Sequence, residues 1–77
     1  MAATTFYWDF FGPRGEGTAR HFQRHLEEFL QREGVSGCAT ALEEPSRGVW
    51  SVSCRAPEGS ADAVRRALRP RRERAEP

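Results

Sequence analysis

The sequence predicts an α+β fold, a two-layer βαββα sandwich, and three observations predict it. Residues 4–11 read TTFYWDFF, in which every residue but Asp9 is β-branched or aromatic. Residues 17–33 carry apolar side chains at helical spacing. Residues 49–56 alternate apolar and polar side chains behind a connection holding Pro45 and Gly48.

In the first strand, alternation puts Phe6, Trp8 and Phe10 on one face and Thr5, Tyr7, Asp9 and Phe11 on the other. Gly12 and Pro13 end it. The helix over 17–33 buries a stripe of Ala19, Phe22, Leu26, Phe29 and Leu30, with Arg20, Arg24, Glu27 and Glu28 outward and Gly34 as its stop. Residues 37–43 and 49–56 form two strands joined by a hairpin connection over 44–48. Trp50, Val52 and Cys54 face inward on the second, and Cys38, Thr40 and Leu42 on the first. If Leu42 pairs with Trp50, Cys38 stands opposite Cys54; a register shifted by two separates them. Ser60 caps a last helix running to Arg69, with Val64, Ala67 and Leu68 as its apolar side and Pro70 beyond it.

This order is that of a ferredoxin-like unit lacking its fourth strand. A right-handed crossover places the third strand in the middle of a three-stranded antiparallel sheet, with two helices on one face. The expected organisation is a single α+β domain over residues 1–70 and a flexible, arginine-rich tail over residues 71–77.

The chain has 77 residues and a net charge of +1, which gives no global electrostatic argument for a nucleic-acid partner. It contains no Lys, Asn or Ile, whereas Arg, Ala, Gly and Pro abound. That is the composition of a high-GC genome, as in many bacteria, and it weakens any inference from arginine number. No run approaches the roughly 20 apolar residues that span a bilayer, and residues 1–11 lack the features of a secretory signal. A soluble cytoplasmic protein with two reduced cysteines is the expectation.

Four sets of residues carry the functional expectations. A first strand without a neighbour on one side is an edge with nothing to discourage pairing. Phe6, Tyr7, Trp8, Phe11 and Val49 are therefore the expected interface of a homodimer or another protein partner, through strand one or the open sheet face. Arg14, Gly15, Gly17 and Thr18 lie between strand and helix, where backbone N–H groups can hold an anion. The spacing departs from a phosphate loop, with no Lys after Gly17 and with Glu16 inside. His21 and His25 are an i,i+4 pair with Glu28 one turn on, a set that can ligate a divalent metal. Arg65, Arg66, Arg69, Arg71 and Arg72 crowd the C-terminus as a phosphate-seeking set.

No nucleophile, base and orienting group are placed together, so the expectation is a non-catalytic protein-interaction module without cofactor or identified small-molecule ligand. The alternative is binding of RNA or single-stranded nucleic acid, with Tyr7 and Phe11 stacking bases and the arginines on phosphates.

Overall fold

A computed structural model describes residues 2–76. The aromatic run forms β1 (Ala3–Phe11), whose even-numbered side chains meet the stripe of α1 (Gly15–Arg32). Phe22 of α1 packs on Trp8 and Phe10, with ring centroids 4.9 and 5.6 Å apart. The core joins Phe6 and Trp8 to Ala19, Leu26 and Leu30 of α1. Burying such side chains contributes about 1.5–3 kcal/mol each. Gly34, at φ 68°, ends α1, and the Val35 N–H donates to the Leu30 carbonyl across it.

The hairpin strands are β2 (Ala39–Ser46) and β3 (Val49–Pro57). β3 lies between β2 and β1, antiparallel to both, as a right-handed crossover requires. Val52, Cys54 and Ala56 point into the core, and α2 (Glu58–Leu68) adds Ala61 and Val64. Both helices therefore cover one face of the sheet.

The sheet has four strands where three were expected. Residues expected to be a tail form β4 (Arg72–Glu76), antiparallel to β1 on the side away from β3. The strand order β2-β3-β1-β4 completes the ferredoxin-like arrangement. Met1 and Pro77, the outermost residues of the two expected ranges, lie outside the described residues. The physical reason is charge. Arg65 Nε and Nη2 donate to both oxygens of Glu73, at 3.0 and 2.9 Å, on the helix side. On the open face, Thr5 Oγ1 donates to Glu76 Oε2 at 2.7 Å and Arg55 Nε to Glu76 Oε1 at 3.2 Å.

Smaller corrections follow from local geometry. α1 begins at Gly15 rather than Gly17, so Gly15 belongs to the helix with Gly17 and Thr18 and not to the connection before it. α2 begins at Glu58 behind Pro57, which leaves Ser60 inside the first turn. The hairpin pairs Leu42 with Val52 and Thr40 with Cys54, so Cys38 and Cys54 are not directly opposed. Among the described residues, no helix is long and apolar enough to cross a membrane.

Candidate functional site at the end of the first strand

β1 is longer than the strand that covers it. Pairing with β4 stops at Tyr7 and Arg72, and the last hydrogen bond there runs from the Arg71 N–H to the Tyr7 carbonyl, 2.9 Å. The parity of β1 follows from its ends. The Gly12 N–H donates to Gly48 and the Ala2 carbonyl accepts from Glu58, so even-numbered residues direct backbone groups toward β3. Odd-numbered residues direct theirs toward β4. The N–H and C=O groups of Asp9 and Phe11 therefore face an edge that β4 does not reach, and they have no protein partner among the described residues.

Beside this edge lies an open cleft of about 500 Å³, lined by Trp8, Asp9, Phe10, Phe22, Arg69, Pro70 and Arg71. Its floor is aromatic and its rim carries two guanidinium groups. Trp8 is held by its Nε1–H, which donates to the Leu68 carbonyl at 3.0 Å. Arg69, which closes α2, has φ 45°, the left-handed region, and is the one non-glycine residue with positive φ among those described. That turn carries the chain from the helix layer to the sheet and sets where β4 starts. Phe11, 62% exposed, stands on the open face of the same edge, with half-buried Val49 as its β3 neighbour.

Around Asp9 the open face is covered by its own side chains. Arg72 donates to Asp9 Oδ2 and Oδ1 at 3.0 and 2.9 Å, and Ser51 Oγ donates to Oδ1 at 2.5 Å. These bonds, led by Arg72, hold the Asp9 carboxyl below its usual range. Thr5, Ser51 and Ser53 are buried here although they face away from the core. A second hollow of about 150 Å³ lies between Tyr7, Glu43, Pro45, Ser51, Ser53 and Arg72.

Of the expected interface, Phe6 and Trp8 are core residues; Phe6 is fully buried and Trp8 meets solvent only where it lines the cleft. Tyr7 is half-buried beneath Arg72; Phe11 and Val49 remain accessible. β4 closes the edge of β1 over residues 3–7 only, with Arg72 and Arg74 opposite Tyr7 and Thr5. Around the first helix, Arg14 precedes α1, and the Gly15 N–H donates to the Gly12 carbonyl. Gly15 is itself buried. Arg65 is bound to Glu73 and Asp62, and Arg72 to Asp9; Arg66 lies in the last turn of α2. Arg69 and Arg71, grouped in the sequence with those, are brought to the cleft. Pro70 and Phe22 are members of the site that sequence reasoning missed, since only the stopping point of β4 assembles them.

Cys54 is buried and Cys38 half-buried, both as free thiols. Burial, with a contribution from Cys38, pushes the Cys54 thiol up to about 12, so it is a poor nucleophile. Compared with known proteins, the chain matches no family model, no curated sequence and no solved structure.

Proposed function

We propose that this protein is a non-catalytic protein-interaction module that captures an extended peptide segment of a partner at residues 9–11 of β1. One observation carries the reading: two backbone N–H and two C=O groups face outward in strand geometry beside an aromatic cleft. Strand addition supplies such groups with partners, and pockets for alternate side chains then supply selectivity. A residue placed opposite Phe10 directs its side chain to the helix side, into the cleft. Its neighbours lie on the open face, one of them against Phe11. Arg69 and Arg71 on the rim favour acidic residues next to the apolar anchor.

Self-association through the whole first strand would require displacing β4, and Arg72 over Tyr7 takes up the ring that base stacking would use. A cytoplasmic setting suits two free thiols.

The test is a titration of the isotope-labelled chain with a capped hexapeptide of alternating glutamate and valine around one phenylalanine. The expected result is slowed exchange and shifted resonances at the Asp9 and Phe11 amides, abolished by Arg71→Glu and weakened by Phe11→Ser. Shifts confined to other surfaces, or none at millimolar peptide, would overturn the proposal. So would sedimentation showing a dimer that already protects residues 9–11, which would assign the edge to a second copy.

A further inference from the structure

The outer face of α1 holds a second arrangement, independent of the β1 edge. His21 and His25 are exposed and one turn apart, and their Nε2 atoms lie 3.0 Å from each other. The rings meet edge to face, with centroids 4.4 Å apart and planes at 75°. Glu28 Oε1 lies 3.6 Å from Nδ1 of His25, on the far side of that ring.

We propose that His21 and His25 form a binding site for a single divalent ion of tetragonal preference, copper(II) or nickel(II). The two nitrogens define an angle that such an ion prefers. Imidazole nitrogens bind such ions at about 2.0–2.1 Å, so two of them 3.0 Å apart subtend roughly 90–97° at a shared ion. That is the angle between neighbouring ligands of a square-planar or octahedral ion, and it is tighter than the tetrahedral angle zinc prefers. Copper(II) also stands above nickel(II) and zinc(II) in affinity for nitrogen ligands in general.

Glu28 lies on the Nδ1 side of His25, 3.6 Å away, where its carboxylate charge favours a cation held on the other side of the ring. On binding, the ion takes the place of the contact between the two Nε2 atoms. Among the described residues no cluster of three or more metal-ligating side chains exists, so water completes the coordination. The site also depends on the helix. The two nitrogens converge because α1 holds the residues four apart, and an unfolded chain offers them only singly.

The experiment titrates the full chain, thiols reduced and in a non-chelating buffer, with Ni²⁺ alone. Amide spectra and thermal melting are recorded together. Paramagnetic broadening is expected first around His21 and His25, saturating at one ion per chain, and Tm rises with Ni²⁺ because only the folded chain holds the pair. His21→Gln and His25→Gln each weaken binding about a hundredfold, since each loses the benefit of a second tethered ligand. Glu28→Gln weakens it about two- to fivefold, the effect of one exposed charge, while leaving both ligands in place. Both side chains being exposed, each variant is checked for an unchanged amide spectrum without metal. Broadening centred on Cys38 or Cys54, or single-histidine variants that bind as tightly as the parent, would overturn the proposal.

Discussion

The guanidinium of Arg72 stands 4.5 Å above the ring of Tyr7. The two residues are directly opposed across the β1–β4 ladder, so one contact ties the covering strand to the centre of the sheet. Arg72 also holds both oxygens of Asp9, whose side chain is only 10% exposed. An exposed cation–π contact contributes about 0.5–1 kcal/mol, and a two-pronged surface ion pair up to about 1 kcal/mol. Arg72→Ala should lower stability by about 1–2 kcal/mol, read from the urea midpoint. A double-mutant cycle with Tyr7→Leu isolates the stacking, and a coupling near zero would refute it.

Acid should loosen β4. Asp9 is held below its ordinary value by hydrogen bonds from Arg72, Glu73 by those from Arg65, and Glu76 by those from Thr5 and then Arg55. Lowered folded-state values mean that the unfolded chain binds more protons in acid. The stabilisation is complete above the ordinary carboxyl values of 3.8 for Asp and 4.5 for Glu, and is lost as pH falls through the lower folded values. Unfolding free energy measured between pH 6 and pH 2 should therefore decline, and Glu73→Gln with Glu76→Gln should flatten the decline. Equal slopes for parent and double variant would show that β4 does not carry it.

Two glycines of α1 should respond oppositely to alanine. A Cβ at Gly17 meets nothing within 4 Å, so Gly17→Ala should raise stability by about 0.5–1 kcal/mol through helix propensity and reduced freedom of the unfolded chain. At Gly15 the same Cβ falls 3.2 Å from the Phe10 carbonyl oxygen and 3.3 Å from Trp50 Cδ1. The carbonyl belongs to a paired strand and cannot move freely, so Gly15→Ala should lower Tm. A rise at both positions would mean that the start of α1 is looser than its packing indicates.

Arg69 couples backbone strain to the proposed site. At φ 45° it occupies a conformation that costs a side-chain-bearing residue about 1 kcal/mol and costs glycine little. Arg69→Gly should raise Tm while weakening capture of the acidic hexapeptide. Stability and binding that fall together would instead point to a structural role for the side chain.

How far the sequence reveals this molecule depends on what specifies each element. The aromatic run of β1, the stripe from Ala19 to Leu30 and the alternation of Trp50, Val52 and Cys54 are hydrophobic signals, and the corresponding elements stand where they indicate. β4 reads RERAE, without an aromatic or β-branched residue, and is specified by partners on other elements: Arg65 on α2, Asp9 and Thr5 on β1, and Arg55 on β3. No local pattern encodes those distances. The start of α2 moves to Glu58 because Pro57 presets the backbone and the Glu58 N–H is taken by the Ala2 carbonyl, again a contact across the chain. Exposure of Phe11 was legible from alternation. The cleft was not, since it exists only because β4 starts at Arg72 and leaves residues 9–11 uncovered.

Two of the ion pairs that fasten β4, Arg65–Glu73 and Arg55–Glu76, stand in contact with solvent, whereas β1 and β3 are fastened by packing. Exposed pairs fade with electrolyte: the screening distance shrinks from about 10 Å at 0.1 M salt to about 3 Å at 1 M. The chain's hold on its own last strand therefore follows the ionic composition of the medium, while the central sheet is indifferent to it. Brine and dilute buffer should hold the same core with differently secured margins.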